Sequence, residues 1–183
     1  PPRSTLFPYT TLFRSQGYRV HLVERDNQLG GNANSIYKTS KGEVVARELA
    51  ALVKYVEDDE LIDLRLGVEL IGVDGFVGNF RSTIAVNGAK ETIEHGVAVL
   101  ATGGYETRPN EYLYGRDPRV ITALELDQRL SRDDPGLKKV KSAVFIQCVG
   151  SREPARPYCS RLCCSHTAAS ALHLKEQIGR AHV

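Results

Sequence analysis

The sequence predicts an α/β fold that contains an antiparallel β-meander, and three observations support it. Short apolar runs that end at turn-forming residues are typical of buried strands. Asn87-Gly88 is the strongest short hairpin signal in the chain. The stretch from Ser142 to Glu176 has the pattern strand, loop, helix. The part of the 183-residue chain that is expected to be native, about 160 residues, can form one domain, or one domain and the edge of another.

Both ends of the chain are expected to be non-native. Residues 1–15 (PPRSTLFPYTTLFRS) match a translation of a common sequencing adapter, and residues 178–183 (IGRAHV) match the opposite adapter. Residues 1–15 also lack the apolar region of a leader peptide. The two ends contain Arg3, Arg14 and Arg180 and no acid, so they produce the formal net charge of +2. The remainder is close to neutral.

Composition excludes several classes of function. A nearly neutral chain with no basic stripe gives no support for nucleic-acid binding. No run approaches 18 apolar residues, so no membrane span is predicted. The four cysteines lie in one cluster, which indicates a reducing, cytoplasmic compartment and a metal site rather than disulfides.

The first predicted strand runs from Tyr18 to Glu24 and ends in an acid. In a dinucleotide-binding unit, the carboxylate at this place accepts both ribose hydroxyls of the adenosine. Gly30 and Gly31 follow, and glycines let backbone approach a ligand closely. A solvated strand-end charge and an ordinary turn remain the alternatives. The glycine loop that should precede such a strand is absent, because the native part is expected to begin at Gln16.

The middle of the chain alternates between one helix and several strands. We predict a helix over Lys41–Asp58, a strand over Leu61–Val73, a strand over Ser82–Val86, a turn at Asn87-Gly88 and a returning strand over Glu91–Glu94.

A buried strand is then predicted over His95–Gly104, ending in the small-residue turn Ala101, Thr102, Gly103 and Gly104. Such a turn lets a cofactor lie close to backbone. Tyr105–Pro135 is interpreted as a crossover with one helical piece near Leu124–Leu130.

Every cysteine lies in the last part of the chain, at Cys148, Cys159, Cys163 and Cys164, with the spacing C-x10-C-x3-C-C. The apolar run Ala143–Ile146 predicts a strand buried on both faces before them, and a helix is predicted from Ser160 onward.

Cys163 and Cys164 should therefore lie in the first helical turn, where the helix N-terminus stabilises thiolates. Four clustered thiols indicate an iron–sulfur cluster, a structural zinc ion or unliganded core thiols. The adjacent pair fits tetrahedral zinc poorly but does not forbid it. His166 and His173 are interpreted as surface or satisfied histidines, and no catalytic constellation is predicted.

Two sets of motifs carry a family resemblance. The chain resembles the two-dinucleotide-binding-domain flavoproteins at three places: Glu24 with LGG, the run VAVLATGG and the crossover VITALELDQRL. IQCVGSRE with YCSRLCC and ALHLKE resembles the A subunit of heterodisulfide reductase and the flavin subunits of quinone-interacting oxidoreductase complexes. The resemblance extends from Gly17 to Glu176.

This resemblance implies a truncated Rossmann-like FAD-binding domain with the meander over residues 16–115. A crossover over 116–141 and the first βα unit of a second Rossmann-like domain over 142–177 would follow. FAD would contact Glu24, Gly30, Gly31, Ala101, Thr102, Gly103 and Gly104, and a [4Fe-4S] cluster would be bound by Cys148, Cys159, Cys163 and Cys164.

The implied function is an FAD-dependent iron–sulfur oxidoreductase subunit that relays electrons between FAD and [4Fe-4S] clusters. Its partners would be other subunits of an electron-transfer complex. The fragment alone is expected to be inactive and not to retain FAD. The alternative from a different class is a zinc-stabilised, non-catalytic α/β docking module.

Overall fold

The computed structural model describes residues 15–86 and 88–178 and shows a mixed α/β chain with one parallel and one antiparallel sheet. This confirms the α/β class. In chain order the strands and α-helices are β1 (Val20–Val23), α1 (Val45–Glu57), β2 (Ile62–Arg65), β3 (Glu69–Phe76), β4 (Asn79–Val86), β5 (Ala89–His95), α2 (Ala123–Ser131) and α3 (Cys163–Ile178).

The parallel sheet consists of β1 and β2, with Val20 opposite Ile62 and Val23 opposite Arg65. Parallel neighbours require a crossover connection, and α1 provides it. The apolar face of α1 packs on this sheet, where Val56 joins a buried cluster. Its members are Leu29, Val56 and Ile62, with Leu22, Val53 and Leu64 packed against them. The strand and helix predicted for this region are confirmed.

The antiparallel meander has the order β3-β4-β5. Val86 on β4 is opposite Ala89 on β5, so two residues connect these strands, as the hairpin signal predicts. Asn87 itself lies outside the described residues. Val68, Ile84 and Ile93 form the buried cluster beneath the meander.

The single strand predicted over Leu61–Val73 is wrong, because the chain divides it between two sheets. Gly67 has a φ of +66° and separates β2 from β3. The Gly67 N–H donates to the Asp26 carbonyl at 3.0 Å, and the Val68 N–H donates to the Glu24 carbonyl at 3.0 Å. Alternating hydrophobicity reports which face is buried, but it does not report which strand is the partner.

The buried strand predicted over His95–Gly104 is also wrong. His95 is the last residue of β5, and residues 96–104 pair with no strand in the described part of the chain. Val97 is 60% exposed and Leu100 is 81% exposed. An extended segment becomes a strand only when a neighbouring strand satisfies its N–H and C=O groups.

The strand predicted over Ala143–Ile146 is wrong as well, because this segment pairs with no strand in the described part of the chain. Ala143 and Phe145 pack against a buried cluster, whereas Val144 is 87% exposed. Alternate side chains therefore face the core and the solvent, and the segment is not buried on both faces.

The described residues divide into two compact units. Unit 1 comprises the described residues up to Gly31 together with Glu48–Gly103, and it contains both sheets. Unit 2 comprises Asn32–Arg47 and the described residues from Gly104 onward, and it contains α2 and α3. Its core consists of Leu126, Leu130, Leu137 and Leu174.

Both helices of unit 2 were predicted from the sequence. A capping box starts α2: the Glu125 N–H donates to Thr122 Oγ1 at 3.2 Å, and the Thr122 N–H donates to Glu125 Oε2 at 2.8 Å. The first residue of α3 is Cys163, so Cys163 and Cys164 lie in its first turn as predicted. Among the described residues, no helix has the length and apolar character that a membrane crossing requires.

Candidate functional site

A short hairpin in unit 2 precedes α3 and organises the cysteine segment, which we define as residues 148–164. The Arg152 N–H donates to the Tyr158 carbonyl at 3.3 Å. Inside this contact, Glu153 and Arg156 exchange backbone hydrogen bonds of 3.2 and 2.9 Å. The chain therefore reverses between Arg152 and Tyr158.

The four cysteines flank this hairpin and begin the following helix. Cys148 precedes the hairpin, Cys159 follows it directly, and Cys163 and Cys164 form the first turn of α3. All four are free and exposed. Exposure leaves each sulfur accessible to a bound group.

Two of the sulfur atoms have polar neighbours within the segment. The Arg161 N–H donates to Cys159 Sγ at 3.3 Å. Ser160 Oγ lies 2.9 Å from Cys163 Sγ. Donors that face a sulfur atom stabilise negative charge on it, which is how hydrogen bonds tune the ligands of iron–sulfur clusters.

The cysteine side chains do not converge on one point. Among the described residues, no three or more His, Cys, Asp or Glu side chains are gathered closely enough to hold a metal ion. The composition of the donor set nevertheless fits a cluster, because four thiols without competing oxygen ligands are what a [4Fe-4S] cluster requires. The fold thus gathers the four residues in one hairpin–helix segment but leaves their side chains apart.

The backbone of this segment is unusual at three positions. Cys148, Arg152 and Arg161 have φ values of +62°, +60° and +62°. Non-glycine residues in the left-handed region cost about 1–3 kcal/mol each, and such strained residues are enriched at functional sites. The segment therefore follows a path that its own residues do not favour.

One side-chain hydrogen bond connects the two predicted glycine turns. Sequence reasoning did not single out the residue that donates it. Gly30, Gly31 and Gly103 all have positive φ, at +113°, +46° and +66°. Asn32 directly follows Gly31, and its Nδ2 donates to the Gly104 carbonyl at 2.8 Å. An asparagine after two glycines is a weak signal, because it is also typical of ordinary turns.

The remaining predicted cofactor contacts are available at the surface. Ala101, Thr102, Gly103 and Gly104 are all exposed. Glu24 directly follows β1, and its Oε1 accepts a hydrogen bond of 3.0 Å from the Asp26 N–H. A carboxylate has two oxygens, so this bond orients Glu24 without exhausting its capacity to accept.

Asp127 on α2 is a second residue that sequence reasoning missed, since no motif marks it. It is only 1% exposed. His166 Nε2 lies 3.2 Å from its Oδ2, and this contact is an ion pair when His166 is protonated, although the nitrogen has no well-directed hydrogen bond. The Asp127 carboxylate raises the pKa of His166. The prediction that His166 is a surface or satisfied histidine is not confirmed, because its buried Nε2 has no hydrogen-bond partner among the described residues.

An open cleft of about 240 Å³ lies beside the hairpin within unit 2. On one wall Arg156 Nη1 donates to Thr107 Oγ1 at 3.0 Å. The positive charges of Arg108 and Arg156 in the lining of the cleft balance the negative charges of Glu111 and Glu153. Its lining comprises residues 107–111, Gly150, Glu153, Ala155 and Arg156.

No protein-family model matches this chain. Among curated proteins, it is 39% identical over 100 residues to the A subunit of an H(2):CoB-CoM heterodisulfide,ferredoxin reductase from Methanothermobacter thermautotrophicus. That alignment covers 47% of this chain and 15% of the relative. The chain is also 37% identical over 103 residues to an iron-sulfur A subunit of CoB-CoM heterodisulfide reductase from Methanopyrus kandleri. This second alignment covers 48% of this chain and 16% of that protein.

A longer alignment pairs the chain with another iron-sulfur A subunit of the Methanopyrus kandleri enzyme. It has 25% identity over 264 residues and covers 92% of this chain and 40% of the relative. Because the alignment is longer than the chain, this relative contains internal segments that the chain lacks. The chain spans well under half the length of these relatives. Its curated homologues are A subunits of CoB-CoM heterodisulfide reductase.

Proposed function

We propose that this chain is part of an FAD-dependent iron–sulfur subunit that relays electrons between FAD and [4Fe-4S] clusters. The complex would resemble heterodisulfide reductase, with other subunits as partners. Two relatives are themselves named iron-sulfur subunits. The domain division given above, with a partial FAD-binding domain followed by the start of a second Rossmann-like domain, is part of this proposal.

The observation that carries the proposal is the position of the cysteines on one hairpin–helix segment. Cys163 and Cys164 lie at the N-terminus of α3, where the partial positive charge of the helix stabilises anionic thiolates. Cys148 and Cys159 lie on either side of the hairpin that leads there. We assign these four residues as the cluster ligands.

Backbone strain supports the same assignment. Of the six non-glycine residues with positive φ in the described part of the chain, Cys148, Arg152 and Arg161 belong to the cysteine segment, and Tyr112, Leu113 and Asp133 lie outside it. A bound group that fixes the sulfur positions would offset the cost of this backbone path. The exposed sulfurs would have to move together when the group binds, because they are separate in this structure.

For FAD, we propose contacts from Glu24, from Gly30 and Gly31, and from the turn Ala101–Gly104. The hydrogen bond from Asn32 to the Gly104 carbonyl supports this grouping, because it ties the two glycine turns to each other. Glu24 would accept the ribose hydroxyls. The glycines would let backbone approach the ligand.

A bound cluster supplies one-electron transfer, and a flavin can exchange one or two electrons. The residues of the chain hold and tune these groups. The Arg161 N–H beside Cys159 and the Ser160 hydroxyl beside Cys163 would set how strongly negative charge on the sulfurs is stabilised.

The direct test is metal analysis of the chain after anaerobic purification or reconstitution. We expect iron and acid-labile sulfide in equal amounts and an absorption shoulder at about 400 nm that bleaches on reduction. Stoichiometric zinc without visible colour would instead support the docking module. It would contradict the redox proposal.

Cys163→Ala tests the ligand assignment. We expect it to lose at least about 90% of the bound iron, because a cluster that lacks one thiolate ligand is poorly retained. Ser165→Ala is the matched control: Ser165 is exposed in the same helical turn, and this change should leave the iron content unaltered. Equal iron in both variants would refute the assignment.

A further inference from the structure

Asp127 is a carboxylate almost completely removed from water. It is 1% exposed and lies on α2 between core residues of unit 2. Burying a carboxylate is costly unless partners compensate for the lost hydration. Its immediate neighbour Leu126 and the nearby Leu130 belong to the apolar cluster of unit 2.

The partners of Asp127 come from two other segments of unit 2. The Tyr37 N–H donates to Oδ2 at 2.9 Å. On α3, Ser170 Oγ lies 3.1 Å from Oδ1, and His166 Nε2 lies 3.2 Å from Oδ2. Both carboxylate oxygens are therefore occupied.

The two α3 partners occupy one face of the helix, directly behind the cysteine pair. Residues four apart lie one above the other on a helix, as His166 and Ser170 do. Ser170 Oγ also lies 3.0 Å from the His166 carbonyl, so its single proton can serve either acceptor. His166 is only two positions after Cys164.

A polar contact of this kind fixes geometry in a way that apolar packing does not. Leucine side chains tolerate small rotations and shifts between two helices. A carboxylate that accepts hydrogen bonds from the Tyr37 N–H and from Ser170 Oγ, and that faces His166 at 3.2 Å, loses these contacts when either helix moves. Asp127 therefore restricts how the first turns of α3 can rotate and slide on α2.

We propose that Asp127 is a positioning residue of the cysteine site, acting through His166 and Ser170 to orient the helix turn that carries Cys163 and Cys164. This inference rests on the proposed function for its link to a cluster. The alternative is that Asp127 stabilises unit 2 and has no influence on the site.

The test compares three variants of the chain under anaerobic conditions. Asp127→Asn preserves shape but weakens the contact with His166. His166→Gln removes the ring and leaves the two other partners of Asp127. Gln128→Ala is the matched control: Gln128 is next to Asp127 on α2, but its Nε2 donates to Ser35 Oγ at 2.9 Å.

We expect Asp127→Asn and His166→Gln to bind iron but to show altered electron paramagnetic resonance g values and a shifted midpoint potential. Gln128→Ala should lower the stability of the chain without changing the g values or the midpoint potential. If both site variants retain the wild-type spectrum and potential and lose only thermal stability, the positioning role is refuted. If Asp127→Asn does not fold, His166→Gln decides by the same measurements.

A readout without metal separates this inference from the proposed function. In metal-free protein, we expect Asp127→Asn to change the rate of alkylation of Cys163 and Cys164 several-fold, because the helix start that stabilises their thiolates is held less firmly. Cys148 should react at the wild-type rate. A wild-type chain that binds no iron would refute the proposed function, and the alkylation rates would still decide the positioning role: unchanged rates at Cys163 and Cys164 refute it.

Discussion

Gly75 shows how one residue determines the path of the meander. It lies near the end of β3 with a φ of +99°, a conformation that L-residues rarely adopt. A Cβ at this position would lie 2.1 Å from the Asn79 carbonyl oxygen, which belongs to the opposite strand of the hairpin. Neither the angle nor the space permits a side chain.

We expect Gly75→Ala to lower the free energy of unfolding by more than about 2 kcal/mol, since the backbone conformation alone costs about 1–3 kcal/mol and the clash adds to it. Gly72→Ala is the control, because a Cβ at Gly72 on the same strand meets nothing within 4 Å. Chemical denaturation measures both. Equal stability of the two variants would contradict the structural role of Gly75.

At the scale of secondary-structure elements, an ionic network holds strands of unit 1 together. Asp63 on β2 accepts from Arg65 Nε at 3.0 Å and lies 2.8 Å from His21 Nδ1 on the paired strand β1. Arg65 also contacts Glu91 on β5 at 2.5 Å. The Arg65 guanidinium, with a smaller contribution from His21, lowers the pKa of Asp63 below its ordinary value of 3.8.

The lowered pKa of Asp63 determines how the contribution of this network to stability depends on pH. Its contribution to stability is fully present above the ordinary carboxyl pKa, and it is lost as the pH falls through the lowered value. We expect Asp63→Asn to cost about 1 kcal/mol near pH 7, since the side chains are partly exposed. The difference from wild type should shrink below about pH 4.

Glu60→Gln is a suitable control for that measurement, because Glu60 is an exposed carboxylate just before β2. Denaturation curves between pH 2 and pH 7, taken at about one-unit steps, would show the trend. A difference between Asp63→Asn and wild type that stays constant over this range would contradict the assigned ion pairs.

At the scale of the whole molecule, each compact unit has its own buried core. Ile84 is completely buried beneath the meander of unit 1. Leu130 is buried between the helices of unit 2. Truncating a buried aliphatic side chain costs about 2–5 kcal/mol, because it removes contacts and leaves a cavity.

We therefore expect Ile84→Ala to lower hydrogen-exchange protection mainly in β3, β4 and β5. Leu130→Ala should lower protection mainly in α2 and α3, which makes each variant the control for the other. Equal loss of protection in both units from either variant would show that the two cores unfold as one.

Local features of the site followed from the sequence. The cysteine spacing, the position of Cys163 and Cys164 in the first turn of α3 and the acid after β1 depend on residues that are neighbours along the chain. Helix periodicity, hairpin signals and capping act over a few residues, so they can be recognised without knowing the fold.

Pairing and burial were decided only by the tertiary structure. Leu61–Val73 is divided between two sheets, and residues 96–104 and Ala143–Ile146 form no strand, because a β-ladder needs a partner that the segment itself does not specify. Asp127 meets Tyr37 across 90 positions and Ser170 across 43. The sequence by itself determined which chemical groups this chain brings to its candidate site. Only the folded backbone decided how those groups are supported, since hydrogen bonds and burial depend on residues far apart in sequence.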